Sequence, residues 1–354
     1  MTSSTPTLRD VAAEAGVSPM TASNALRGKP GVKESTRAKV IAAAKKLNYR
    51  INLTASMLKS GRSNIIHVIV NEFDSPFYSK LTQALSNEIV SRGLIPFIEQ
   101  TQYSPDAAEH ALSSNPFSGQ LFDGEILHAT GLGTNVPLSK LNGGRPFVLL
   151  DACEETPTVD AVNFPNEEAE RAAMQHLIDR GCRNIAIVGH RFAPRAIWRM
   201  PRTRSLCDCA AHAERCRRRL PMTSRWYSKP GCANGIIAGH AIAERILAAR
   251  SGHGGTEFDG ACCANDFAAF GVIRGLVDRG LRVPQDVKVI GFDGVTSGSY
   301  TTPALSTIQV DFTQLAKFSV DMLSERIDHG TDEALPPRRA IIGYQLVDRE
   351  STAV

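Results

Sequence analysis

The tightest constraint in this chain lies at its start. Between Thr7 and Leu47, written TLRDVAAEAGVSPMTASNALRGKPGVKESTRAKVIAAAKKL, three helical periods follow one another with little connecting chain. Leu8, Val11, Ala12 and Ala15 recur at helical spacing and stop at Gly16, so a short amphipathic helix ends in a tight turn. Ser18 suits the cap of a second helix, Pro19 its first position, and Ala22, Ala25 and Leu26 its inner face before Gly28 closes it. Thr21, Ser23 and Asn24 then point outward. A third period, about Glu34 to Leu47, closes the core with Val40, Ala44 and Leu47. Helix, Gly-containing turn and a second helix with small polar outward residues make a helix-turn-helix, whose second helix enters the DNA major groove.

Charge supports the same reading. The net charge of +4 over 354 residues hides an asymmetry, because residues 1 to 62 carry eleven Lys or Arg against three Asp or Glu. That segment is at +8 and the remainder at −4. Clustered positive charge is the footprint of phosphate binding, although a solvated basic face would look similar. No apolar run follows Met1, and Ile65 to Val70 is far too short to span a bilayer, so no membrane partner is expected and the cytoplasm is the expected location. Of eight cysteines, Cys262 and Cys263 sit in an apolar run and Cys153 and Cys182 are isolated, which fits reduced thiols rather than a secreted disulfide framework.

From Asn64 onward the texture changes. Strand-like runs at 65–70, 94–99, 122–129 and 147–152 alternate with helical periods at Pro76–Ser91 and Pro105–Ser113. A second set has strands at 184–189, 260–264 and 287–293, with helices at 167–180, 239–249 and 267–279. Apolar strands alternating with helices argue parallel sheets covered on both faces, and two such sets imply two Rossmann-like lobes with binding at strand carboxyl ends. The predicted fold class is therefore α/β, a two-lobed core of parallel sheets with a small all-α domain in front. The expected boundaries are 1–50 for the helix-turn-helix, 51–62 for a hinge and 63–354 for the core. Lobe one is expected over about 63–162 and 290–320, and lobe two over about 163–289 and 321–354.

The chain resembles the lac repressor family of bacterial transcription regulators. The resemblance rests on V-S-x-x-T-x-S at Val17 to Ser23 and on Leu47-Asn48-Tyr49 at the end of the third helix. It continues in A-x-x-L at Ala55 to Leu58, in HLIDRGCRNIAIVG from 176, in CANDFAAFGVIRGLVDRGLRVPQDVKVIGFDG from 263 and in LVDREST from 346. It implies a periplasmic-binding-protein-like effector core with the last strands exchanged between lobes. It also implies a hinge that becomes helical only on operator DNA, with Leu58 wedged between central base pairs from the minor groove. The implied partners are palindromic operator DNA, a small effector such as a sugar, and a second copy of the chain in a homodimer or tetramer. No cofactor is expected.

The residues expected to meet DNA are Ser18, Pro19, Met20, Thr21, Ser23, Asn24 and Leu58. By the resemblance Pro19, Met20 and Asn24 face bases: Asn pairs in bidentate fashion with adenine, and Met lies against a thymine methyl. Thr21 and Ser23 suit phosphates, which set register without reading sequence. Phe77 and Asp266 occupy the effector positions, one as a stacking ring and the other as a hydrogen-bond acceptor, with helix capping an alternative role for Asp266.

An enzyme is the competing class, since Asp74, Asp123, Asp151 and Asp293 lie near strand ends. No phosphate-binding, dinucleotide, nucleophile-elbow or zinc-protease motif accompanies them. The other competing reading is a sugar-binding or sugar-processing protein with an incidental N-terminal domain. Residues 195 to 235 depart from the family pattern. That stretch holds Cys207, Cys209, Cys216 and Cys232, the Arg217-Arg218-Arg219 run and Pro221, and lacks apolar periodicity. Zinc at Cys207, Cys209, Cys216 and His212 has poor spacing for a structural site. The segment is expected to pack poorly and to weaken effector binding while leaving DNA binding intact.

Overall fold

The structure is a computed structural model that describes residues 6–26, 28, 30–49, 61–113, 121–128, 143–151, 158–189, 223–227, 236, 239–241, 243, 258–329 and 336–353. It divides into two compact units, Met1–Ser63 and Asn64–Val354.

In the first unit α1 (Leu8–Glu14), α2 (Pro19–Leu26) and α3 (Glu34–Lys46) enclose a core of Val11, Ala12, Ala22, Ala25, Val40, Ala43 and Ala44. Alanine predominates, so the helices pack closely around little apolar volume. The start of α1 is fixed by a capping box, in which Thr7 accepts from the Asp10 amide and the Asp10 side chain accepts from the Thr7 amide. The Asp10 carboxyl accepts from both the Thr7 amide and the Thr7 hydroxyl, and these two bonds hold it below its ordinary pKa. Gly16 takes φ +67°, a left-handed conformation that costs glycine nothing and lets α1 turn directly into the next segment. Lys46 of α3 reaches Glu14 at 2.6 Å, an exposed pair that adds little stability but joins first helix to third.

The second unit contains two six-stranded sheets. The first has strand order β11-β5-β4-β3-β1-β2, from β1 (Ile65–Val70), β2 (Ile95–Gln100), β3 (Gly124–His128), β4 (Phe147–Leu150), β5 (Asp160–Asn163) and β11 (Arg339–Ile341), and is wholly parallel. The second has order β12-β10-β9-β8-β6-β7, from β6 (Asn184–Val188), β7 (Thr223–Tyr227), β8 (Gly260–Cys263), β9 (Lys288–Asp293), β10 (Ser306–Val310) and β12 (Tyr344–Val347), with only β12 antiparallel. The central strands read as continuous apolar runs because helices cover both faces. On lobe one lie α4 (Pro76–Ser91), α5 (Pro105–Ser113) and α8 (Phe312–His329); on lobe two lie α6 (Asn166–Asp179) and α7 (Asp266–Val277). Among the described residues no helix is long and apolar enough to cross a membrane.

The expected lobe boundaries need correction. Residues 288–293 and 306–310 form β9 and β10, which ladder onto β8 and so belong to lobe two, not to a lobe one spanning 290–320. Helix α8, by contrast, packs against α4, β3, β4 and β5, so lobe one extends past 320, and β11 returns to the first sheet beside β5. Strand pairing is a long-range choice that an apolar run does not disclose. Within the stretch expected to pack poorly, Thr223–Tyr227 pairs with β6 over five residues as an edge strand. The rest of that stretch, with the zinc alternative at Cys207, Cys209, Cys216 and His212, lies outside the described residues.

The chain crosses between the lobes at three places that lie side by side: Phe164-Pro165 between β5 and α6, Asp311 between β10 and α8, and Ile342-Gly343 between β11 and β12. The crossings are bonded to one another. Ile342 N–H donates to the Asn163 carbonyl at 3.0 Å, and Asp311 N–H to the Gly343 carbonyl at 3.2 Å.

Candidate DNA interface and effector cleft

Helix α2 presents a clear division of labour. Ala22 and Ala25 face the core, while Pro19 and Met20 are exposed and Thr21, Ser23 and Asn24 are half-buried on its flanks. Ser18 caps the helix: its Oγ accepts from the Thr21 amide at 3.1 Å and lies 2.9 Å from the Thr21 hydroxyl. With the cap bonded to the backbone, the outermost side chain at the helix start is Met20, 66% exposed, the most exposed large apolar group among the described residues of this unit. An apolar side chain held out at a helix N-terminus contributes nothing to folding and suits contact with a base edge. Leu58, the expected wedge, lies outside the described residues.

In the core, the carboxyl ends of the strands gather aromatic rings. Phe77 follows β1, His128 ends β3, Phe164 follows β5 and Phe312 follows β10. The Phe77 ring lies 5.0 Å from Tyr78, 5.6 Å from His128, 5.6 Å from Phe164 and 5.5 Å from Phe312. Phe77 is half-buried where its neighbours are buried, so it is the ring of this group that keeps accessible surface. Burial holds His128 neutral, with its pKa pushed down to about 4. Sequence reading found Phe77 but not Tyr78, His128, Phe164 or Phe312; an aromatic residue at the end of β3 and just after β5 and β10 was the available signal.

Around these rings stand three aspartates. Asp151 ends β4 with φ +57° and accepts from Asn166 Nδ2 at 2.9 Å, and burial pushes its carboxyl up to about 6. Asp293 ends β9 with φ +109°, a conformation costly for a side chain other than glycine and kept where the surroundings enforce it. Asp266 begins α7 with no exposed surface. Its Oδ2 accepts from the Val295 amide at 2.7 Å and its Oδ1 from the Thr307 hydroxyl at 2.6 Å. The helix cap is Asn265, which accepts from the Ala268 amide, so the alternative capping role falls to the neighbour of Asp266. Burial raises Asp266 to about 7, and burial with the adjacent Asp266 charge raises Asp293 well above the carboxylate range. In this arrangement Asp266 braces the 293–295 turn against β10. Among the described residues no cluster of His, Cys, Asp and Glu is suited to a metal ion.

A basic helical unit with a projecting recognition helix, followed by two parallel-sheet lobes joined by three crossings, defines a DNA-binding regulator with a ligand-binding core. The family models agree. Residues 7–52 match the bacterial regulatory proteins of the lacI family, and residues 174–352 match the periplasmic binding protein-like domain. The chain belongs to the lacI family of bacterial transcription regulators. It is 26% identical over 324 residues to the HTH-type transcriptional repressor PurR of Mannheimia succiniciproducens, covering 91% of this chain and 92% of that one. The lac repressor dimer bound to operator and the anti-inducer ONPF superposes with a TM-score of 0.77 at 23% identity, over 99% of this chain and 100% of that chain. The transcriptional regulator CelR in complex with cellobiose gives a TM-score of 0.64 at 24% identity, over 98% and 99%. The protein is thus a repressor-like, DNA-binding transcription regulator and not an enzyme.

Proposed function

We propose that the protein is a homodimeric repressor of a palindromic operator whose affinity is set by a small effector, a sugar or sugar derivative, bound between the lobes. The observation that carries the DNA reading is the outward face of α2, where Met20 stands exposed beside Thr21, Ser23 and Asn24 over an alanine face. Met20 and Asn24 read base edges, Pro19 sets the helix entry, and Ser18, Thr21 and Ser23 hold the start of the helix and the phosphates beside it. Residues 51–62 act as the hinge, with Leu58 as minor-groove wedge. On the effector side Phe77 offers its accessible ring to one face of a pyranose, and Asp266 acts from behind the cleft wall by holding the 293–295 turn. The cellobiose complex of CelR, together with a cleft floored by aromatic rings, favours a carbohydrate.

Selection of binding sites from random DNA with the full-length protein tests this reading. Inverted repeats should emerge, and affinity should fall steeply and linearly on a log scale as salt rises, because each phosphate contact releases counterions. A protein that binds one half-site as tightly as the palindrome would overturn it. On the selected site Leu58→Ala should weaken specific binding by on the order of 2 kcal/mol and reduce bending, with non-specific binding little changed. Equal operator affinity in that variant would reduce the hinge to a linker.

A further inference from the structure

Away from the three chain crossings and the Asn166–Asp151 bond beside the first of them, an ammonium group also joins the lobes among the described residues. Lys80 lies on the second turn of α4 in lobe one, and its Nζ donates to the Gly294 carbonyl of lobe two at 2.7 Å. The acceptor sits on a turn that has little freedom. Gly294 takes φ +72°, and a Cβ there would fall 2.5 Å from the Gln309 Cα, so the turn is pressed against β10. The next amide, Val295, is held by Asp266 Oδ2, and Asp266 Oδ1 is held by Thr307 of β10. Lys80 therefore grips lobe two at a place where displacement is passed directly to its buried carboxylate.

Every charge facing this ammonium is accounted for among the described residues. Burial depresses the Lys80 pKa, Asp266 and Asp293 raise it, and Arg349 lowers it. Arg349 donates from Nη1 to the Leu305 carbonyl at 2.6 Å, so it is turned toward the backbone of its own lobe. A half-buried lysine is expensive unless opposite charge stands near, and here that charge lies on the other lobe. Neither lobe needs the group for its own core.

We propose that Lys80 is the positioning residue that couples the lobes: its ammonium, on the Gly294 carbonyl and beside the Asp266 and Asp293 carboxyls, fixes their relative arrangement, and an effector acts by making or breaking this bond. This rests on the reading that an effector binds between the lobes. A bond of this length does not survive a shift of about 1 Å, so the contact reports lobe rotation as present or absent.

The test uses the effector-free full-length protein, with hydrogen exchange read on peptides covering 293–296 and, as a folding control, 65–70. Lys80→Met should lower protection at 293–296 by about tenfold and leave 65–70 unchanged, while Lys80→Arg should return protection to within about threefold of wild type. The gap between wild type and Lys80→Met should widen from pH 5.5 to pH 8, since Asp266, raised to about 7, gains negative charge over that range and holds the cation more strongly. Lys80→Gln, which keeps a donor without the charge, should fall between Met and Arg at pH 8 and approach Arg at pH 5.5. Unchanged protection in Lys80→Met, or Lys80→Arg behaving like Lys80→Met, would overturn the proposal. Neither DNA nor ligand enters this measurement, so its failure is distinct from a failure of the protein to select operator DNA.

Discussion

Replacing Val40 with aspartate should abolish operator binding, with affinity for the selected site falling by more than about a hundredfold while the thermal transition of the 64–354 unit stays in place. Val40 has no exposed surface, and its neighbours in the small unit are Val11, Ala12, Ala22, Ala25, Ala43 and Ala44. None of them offers a side-chain hydrogen bond. A carboxylate there must stay unpaired or take up a proton, and either costs several kcal/mol. A helical unit of this size has only a few kcal/mol of stability to lose, because small domains bury little apolar surface. The unit would be largely unfolded and α2 no longer presented. Fluorescence anisotropy with labelled operator, beside calorimetry of the whole chain, checks both halves of the expectation. Retained affinity would mean that α3 is not what holds α2 in place.

Replacing Gly271 with valine should lower the stability of lobe two by about 3 kcal/mol, a loss visible as a drop of about 10 °C in the core transition. Gly271 lies on the buried face of α7, where an added Cβ would meet the carbonyl oxygen of Ile236 and come within 2.8 Å of the His240 amide nitrogen. Those are backbone atoms of helical residues that cannot swing aside as a side chain would. The contact is reciprocal: a Cβ on Gly239 would meet the Ala268 carbonyl, and one on Gly275 would come 2.6 Å from the Ala243 Cβ. Two helices therefore touch backbone to backbone through glycines on both sides. Gly271→Ala should shift the transition in the same direction by a smaller amount. A Gly271→Val protein with an unchanged transition would show that this crossing can open without cost.

Local features of the fold were legible in the sequence, and long-range ones were not. Gly16, the Ser18 cap and the alanine face of α2 are decided by residues within one turn of each other, and period and capping chemistry disclose them. The runs at 65–70 and 184–189 read as strands because both faces are covered and nearly every position is apolar. Strand β5 is different. It is four residues long and begins with Asp160, a carboxylate buried only because Arg326 and Arg338 reach it from α8 and the approach to β11, at 2.8 Å and 2.9 Å. An ion cluster assembled from positions more than 160 residues apart leaves no local mark. Helix α8 carries an apolar stripe of Phe312, Leu315, Ala316, Val320 and Leu323 that the same period test resolves, and it is absent from the expectations. In the site, an Asp after an apolar run was visible at 266, but its Thr307 partner on β10 was not, so its lack of exposed surface could not be anticipated.

The three adjoining crossings also determine what kind of motion the core can perform. Because Asn163, Asp311, Ile342 and Gly343 are bonded together, the lobes have no independent tethers that would allow them to slide or separate. What remains is rotation about the line along which those segments lie, with the Phe164 and Phe312 rings next to it. A molecule seated on that floor acts close to the pivot, where a small change in size becomes a change of angle. Lys80 lies one helical turn beyond Phe77, so the same rotation bears on its bond to the Gly294 carbonyl.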